Sequence, residues 1–221
     1  MWFKGLREDI KAAKRNDPAA RNSFEIWLTY AGVHALSWHR AAHFFYKIKL
    51  KLIARIVSQL GRFFTGVEIH PAAKIEPGVF IDHGMGVVIG ETAEVHKGTV
   101  IYQGATLGGT GKESGKRHPT VMENVTISAG AKVLGGITIG ANAKIGAGAV
   151  VLKDVPPYAT VVGIPGRIVR IREPEHRDHD PHTGVIAVAA LNHEIDLERE
   201  ERAKEMARKA EEDSKKKKEE K

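Results

Sequence analysis

The 221-residue chain has no cysteine, only 6% aromatic residues, nine prolines and no apolar run near the ~18 residues a membrane span needs. The missing cysteine excludes disulfide scaffolds, zinc ribbons and thiol nucleophiles, and makes a reducing cytoplasm the natural compartment. The opening MWFKGLREDI carries charges where a secretory leader needs an apolar stretch, so neither export nor a membrane anchor is expected. Acidic residues are in relative deficit, 27 against 34 Lys+Arg, for a net charge of +7. What is present, 42% hydrophobic and 28% charged residues, is globular. The excess charge is local: residues 1–66 hold 12 Lys/Arg against 4 Asp/Glu, whereas 67–193 balance at 12 each and 194–221 hold 10 against 11. Eleven of the fourteen aromatics also lie in 1–66, while eighteen of the 23 glycines lie between Val67 and Gly166. Two building plans share the chain.

The first plan is helical. Phe3, Leu6, Ile10 and Ala13 recur at three- and four-residue spacing and leave Lys4, Arg7, Lys11 and Lys14 on the other side, which predicts an amphipathic helix. Asp17-Pro18 has the form of an N-cap followed by a helix-opening proline, and Phe24–Tyr30, His34–Ile48 and Lys51–Phe64 continue in helical pattern. An all-α domain over residues 1–66 follows. Its basic residues are scattered over several helices with no aromatic stacking platform, so no nucleic-acid partner is expected.

The second plan is a hexapeptide repeat. An aliphatic residue returns at every sixth position through Ile69, Ile75 and Ile81, again from Ile89 to Leu107, and again from Val121 to Val151. No amphipathic helix has a six-residue period. Six residues make a short strand and a turn, and three such units close one coil, so thirteen units predict about four coils of a parallel β-helix over residues 67–172. Short turns favour the left-handed form. Flat faces on such a solenoid favour cyclic homo-oligomers, while the helical domain covers one end of the coil. The fold class is therefore an α domain joined to a left-handed β-solenoid, with a charged tail over 173–221 that is partly helical or disordered.

The period slips twice, by two residues in Ile81–Ile89 and again in Leu107–Val121, where fourteen residues read as two periods plus two. Insertions in a solenoid become loops beside a rigid scaffold, so the chemistry is sought in Asp82-His83-Gly84-Met85-Gly86 and in the loop 108–120. Gly108–Glu113 is no phosphate-binding loop, because that motif needs Gly at Thr106 and Ser/Thr at Glu113. His39 and His43 lack the glutamate of a metalloprotease helix and read as packing residues.

The segments VEIHPAAKIEPGVFIDHGMGVVIGET, TLGGTGKESGKRHPT and AKIGAGAVVLKDVPPYATVVGIPGRIV, with the helical Arg15-Asn16-Asp17-Pro18, closely resemble serine O-acetyltransferases over roughly residues 7–172. The resemblance implies acetyl transfer from acetyl-CoA to the L-serine hydroxyl, giving O-acetylserine, with no metal. By it, His83 is the general base and Glu68 the carboxylate that orients it. Asp17 and Asp82 hold the amino and hydroxyl end of serine, Arg117 its carboxylate, and His118 completes the pocket. The pantetheine arm lies in a groove between subunits beside Gly109, Thr110, Ala129 and Ala147, with Lys144, and on charge grounds Lys153 and Arg167, for the CoA phosphates. A serine hydroxyl cannot attack a thioester while it keeps its proton, and a neutral histidine suits its removal. With no cysteine or activated serine, direct transfer is favoured over an acyl-enzyme.

The resemblance implies a homotrimer or a dimer of trimers. It also implies, in members ending in Ile, docking into O-acetylserine sulfhydrylase; this sequence ends in Lys221, so that complex is not expected. His176, His179 and His182 read as loop residues. Two rivals remain open at this point: a hexapeptide acyltransferase for homoserine or a sugar, and a zinc hydrolyase of the γ-carbonic-anhydrase type using His70, His83, His96 or His118.

Overall fold

The computed structural model describes residues 2–111, 114–172, 204 and 208. Residues 1–168 form one compact unit and 169–221 a second. Four helices open the first unit: α1 (Trp2–Asn16), α2 (Ser23–Thr29), α3 (Ala31–Lys47) and α4 (Lys51–Thr65). The expected start at Asp17 is corrected. The Asp17 amide closes the end of α1 by donating to Ala13 O, and its carboxylate accepts from the Ala19 amide at 2.8 Å, a local turn, whereas the cap of α2 is Asn22, which accepts from the Glu25 amide.

Short strands then follow at hexapeptide spacing. β1 (Glu68–Ile69), β4 (Val88–Ile89), β7 (Thr106–Gly108), β10 (Lys132–Leu134) and β13 (Val150–Val151) stack in parallel as a first sheet. β2 (Lys74–Ile75), β5 (Glu94–Val95), β8 (Thr120–Val121) and β11 (Thr138–Ile139) form a second. β3 (Phe80–Asp82), β6 (Val100–Tyr102), β9 (Thr126–Ile127), β12 (Lys144–Ile145) and β14 (Ala159–Val162) form a third. Visiting the three sheets in turn makes a left-handed parallel β-helix of about five turns rather than four, because the coil continues past Val151 through the Val155 bridge to Ile139 and through β14. β15 (Arg167–Ile171) crosses the boundary between the two units.

The strand register dates each insertion. Val88 pairs with Thr106, eighteen residues on, and Thr120 with Thr138, again eighteen. Glu68 pairs with Val88, twenty on, and Glu94 with Thr120, twenty-six on. The second slip is therefore one period plus eight rather than two periods plus two: Leu107 and Val121 occupy neighbouring sheets, and the whole insertion is one loop. Along the repeat the aliphatics point inward and twelve of the thirteen are buried, from Ile69 at 4% exposure to Ile145 at 0%. The exception is Ile75, half-buried on the first coil, where it lines a cavity shared with His39, His43 and Phe44 of α3.

The helices close that first coil with polar groups as well as apolar ones. Ser58 donates to Ile69 O at 2.7 Å, His43 Nδ1 donates to Pro71 O at 2.8 Å, and the fully buried Asp9 accepts the Gly78 amide at 3.0 Å. Each satisfies a backbone group that the edge of a sheet would otherwise expose. Asp9 is held by Arg40 at 2.6 Å, an ion pair too bent for a hydrogen bond. A cluster of Ala12, Ala13, Ile26, Val33, Phe80 and Val100 lays the helices over the first two coils of the third sheet. Gly32 lies so close that a Cβ there would meet Ile81 O at 2.0 Å.

Candidate active site

Two edges of the solenoid carry the polar residues. Edge 1 turns the chain from the third sheet into the first. His83 begins it directly after β3, exposed and in the left-handed backbone region at φ 58°, a conformation that costs a non-glycine residue energy and is enriched at functional sites. The Asp82 carbonyl accepts from the Gly84 amide at 2.6 Å, which closes the turn under it. Successive coils repeat this edge in register: Gly104 N bonds Met85 O, Gly130 N bonds Gln103 O and Gly148 N bonds Ala129 O. The glycines in that column all have positive φ, and only small groups, Ala129 and Ala147, stand between them on the upper coils. An open backbone track thus runs along the edge from His83, with Lys144 exposed on the adjoining third sheet.

The helical layer reaches edge 1. Tyr30, at the junction of α2 and α3, donates its phenol proton to Asp17 Oδ2 at 2.5 Å. That bond, together with the Ala19 amide and the nearby His83, holds the Asp17 carboxyl below its ordinary range. Tyr30 is correspondingly pushed up to about 12, by Asp17 first and with smaller contributions from burial, Glu25 and Asp82. Asp17, Tyr30, Asp82 and His83 therefore form one electrostatic group. Glu68 begins β1 one coil below, and Gly86 N donates to Gly66 O beside it, but the described partner of the Glu68 carboxylate is Arg62 at 3.1 Å rather than His83.

Edge 2 turns the chain from the first sheet into the second. Here Glu91 accepts a hydrogen bond from the Arg117 guanidinium, which lowers the Glu91 carboxyl below its ordinary range. His118 lies across Gly90, so that a Cβ on that glycine would come within 1.9 Å of His118 Cδ2. Burial, then Arg117 and Lys116, press the His118 ring toward neutrality against the opposing pull of Glu91. Burial likewise lowers His70, one coil below Glu91. Gly109 packs against Arg117 O, while exposed Thr110 and Lys153 lie on the same edge.

The residues expected to act together thus fall into two groups in one chain: Asp17, Asp82, His83, Ala129 and Ala147 on edge 1, and Gly109, Thr110, Arg117 and His118 on edge 2, with the width of the first sheet between. Sequence reasoning missed Tyr30, Glu91 and Thr92. Glu91-Thr92 stand two and three residues after the repeat aliphatic Ile89, on the turn that follows β4, where a polar pair is legible from the sequence; nothing local marks Tyr30, which meets Asp17 only because the chain turns at Pro18. Among the described residues no three His, Cys, Asp or Glu are grouped to hold a metal ion. His96 instead pairs with Glu76 at 3.2 Å on the second sheet. No described helix is long and apolar enough to cross a membrane.

Residues 118–153 match the family model for bacterial transferase hexapeptide repeats (six repeats). A serine acetyltransferase of Bacillus pumilus is 64% identical over 169 residues, 76% of this chain and 78% of that protein. The chain belongs to the serine acetyltransferase family. Among solved structures, the Neisseria gonorrhoeae serine acetyltransferase in complex with serine superposes with a TM-score of 0.74 at 43% identity, covering 76% of this chain and 69% of that one. A serine acetyltransferase complex with CoA gives 0.73 at 42% identity, over 76% and 70%. The tail residues 173–221, where no sulfhydrylase docking was expected, lie outside the described residues apart from 204 and 208.

Proposed function

We propose that the chain transfers the acetyl group of acetyl-CoA to the hydroxyl of L-serine with His83 as general base, in the cytoplasm. The observation that carries this reading is the group on edge 1, where an exposed histidine in a constrained turn stands beside two carboxylates, Asp17 and Asp82, able to hold an ammonium group. Neutral His83 takes the serine hydroxyl proton as the oxygen attacks the thioester carbonyl. The tetrahedral intermediate then collapses, the C–S bond breaks, and the CoA thiolate leaves with the proton from the imidazolium. Arg117 supplies a forked cation for the serine carboxylate and His118 a neutral donor beside it. Glu68 stabilises the imidazolium once it leaves Arg62 and turns to the ring. The open track past Ala129 and Ala147 accommodates the pantetheine arm, with Lys144 near its phosphates.

Edges 1 and 2 complete one site when the first sheet of each copy faces the next in a cyclic trimer, so that His83 of one copy meets Arg117 and His118 of its neighbour. The helical layer supports that packing. α4 buries its small side, Ala54, Ser58, Gly61 and Thr65, and leaves Leu52, Ile56, Leu60, Phe63 and Phe64 at 43–81% exposure, an apolar stripe next to the first sheet. The enzymatic test is thiol release: purified protein with acetyl-CoA frees CoA on adding L-serine, and not on adding homoserine, threonine or an amino sugar. His83→Ala lowers kcat at least about a hundredfold. Equal release with an amino sugar would move the chain to another acceptor class.

A further inference from the structure

The loop that delivers Arg117 and His118 is tied down by one residue of the coil beneath. Thr92 Oγ1 accepts the amide protons of Arg117 at 3.1 Å and His118 at 3.0 Å, and the Thr92 carbonyl accepts from Lys116 Nζ at 2.8 Å. Thr92 also faces the His118 ring, with its amide 3.2 Å and its hydroxyl 3.0 Å from Nδ1. A hydroxyl has two acceptor sites and one proton. Both acceptor sites are occupied by the loop amides, so the proton goes to Nδ1, which the Thr92 N–H already faces as a donor. Two donors converge on Nδ1, and a neutral imidazole facing them carries its one proton on Nε2. His118 is only 9% exposed, yet Nε2 is neither sealed from solvent nor bonded to any described residue. Gly90, two residues before Thr92, leaves the space in which the ring lies.

We propose that Thr92 is a positioning residue: it fixes His118 as the Nε2–H tautomer and anchors Lys116-Arg117-His118, so that a free N–H donor is presented to an oxygen of the acceptor substrate or of the tetrahedral intermediate. Protonating His118 would set a third proton against the two Thr92 donors, a cost that acts with the charges around the ring: Lys116 and Arg117 oppose protonation, Glu91 favours it, and His70 lies two coils below. His118 is thereby a donor that holds one state and not a proton shuttle. Glu91 performs the matching task for the guanidinium, so Gly90-Glu91-Thr92 is a template for the arginine–histidine pair.

The inference rests on L-serine being the acceptor, and its test separates the two. In full-length enzyme, Thr92→Val keeps the side-chain volume and loses the hydroxyl, whereas Thr92→Ser keeps the hydroxyl. Thr92→Val is expected to lower kcat/KM for serine about 10–100-fold, as displaced catalytic groups do, with KM for acetyl-CoA unchanged. Thr92→Ser is expected to stay within about threefold of the parent. On a His118→Ala background Thr92→Val is expected to cost less than in the parent, because the share of its effect that acts through the ring is already lost and only the anchoring of Arg117 remains. Proton–nitrogen NMR of the histidine rings should show a bare Nδ1 and a protonated Nε2 for His118 from pH 6 to 8 in the parent, and a mixture of tautomers or a raised pKa in Thr92→Val. Full activity of Thr92→Val, additive losses with His118→Ala, or a protonated Nδ1 in the parent would each overturn the proposal. Failure of serine to act as acceptor would instead overturn the functional reading, and the NMR result would stand apart from it.

Discussion

Substituting Gly90 by alanine introduces one methyl group at the point where edge 2 is most crowded. The new Cβ would lie 1.9 Å from His118 Cδ2, 2.2 Å from Nε2 and 2.8 Å from Cγ, where ordinary contact begins near 3.4 Å. The conflict is with a side chain, and Gly90 has no positive φ, so the backbone bond from Gly90 N to Leu107 O at 3.0 Å survives and the ring is what moves. A displacement of more than about 1 Å breaks both contacts between Nδ1 and Thr92, at about 1 kcal/mol each, and withdraws the Nε2 donor from the substrate. Losing that donor to the charged transition state costs about 2–3 kcal/mol, which corresponds to a 30–150-fold fall in kcat/KM for serine. Tm should fall by only a few degrees, since the solenoid core is untouched. Steady-state thiol release at varied serine and varied acetyl-CoA, with a thermal melt on the same preparation, reads both quantities. A Gly90→Ala enzyme with parental kcat/KM would refute the reasoning, as would one that loses acetyl-CoA affinity and serine affinity alike.

Other predictions address the helical layer and the buried histidines. Tyr30→Phe deletes the hydroxyl on the Asp17 carboxylate; a hydrogen bond to a charged group contributes on the order of 1.5 kcal/mol, so KM for serine should rise about tenfold while KM for acetyl-CoA stays fixed, and steady-state kinetics check this. His39, buried at 6% exposure beside His43 and Arg40, is lowered to about 3, chiefly by desolvation. Because the folded value lies below the ordinary 6.5, the unfolded chain takes up a proton the folded chain refuses, so His39 costs nothing above pH 6.5 and destabilises as pH falls below it, toward 3. The slope is up to about 1.4 kcal/mol per pH unit. Urea midpoints between about pH 7 and pH 5, above the carboxylate range, should show a shallower decline in His39→Gln than in the parent; parallel declines would contradict the assignment.

Periodicity made the solenoid legible because every coil repeats one physical constraint, an aliphatic that must point inward, and Ile69 to Val151 obey it in register. The helix ends were equally readable over 24–30 and 51–64. Length of insertion was not readable, since fourteen residues from Leu107 to Val121 divide by six with a remainder of two whichever sheet follows, and only the pairing of Glu94 with Thr120 decides. Asp17 misled as a cap because Asp-Pro serves both a helix start and a turn, and Asn22 competes for the same helix. Resemblance nominated His83, Arg117 and His118 as one pocket, but their separation onto two edges follows from which corner of the coil each occupies, a property of the closed solenoid that no local motif carries. The partners that hold them, Tyr30, Glu91 and Thr92, come from neighbouring coils and helices tens of residues away or less, and spacing along the chain does not encode those meetings.

The central claim is a serine acetyltransferase site assembled from edge 1 of one copy and edge 2 of the next, and subunit mixing tests it most directly. His83→Ala and Arg117→Ala homo-oligomers are each expected to be inactive in serine-dependent thiol release. Unfolded together at equal amounts and refolded, they should form trimers in which about a quarter of the interfaces unite an intact His83 with an intact Arg117, restoring about a quarter of the parental activity. Mixed assemblies that form and yet show no activity above the separate variants would place both halves of the site in one chain and contradict the account.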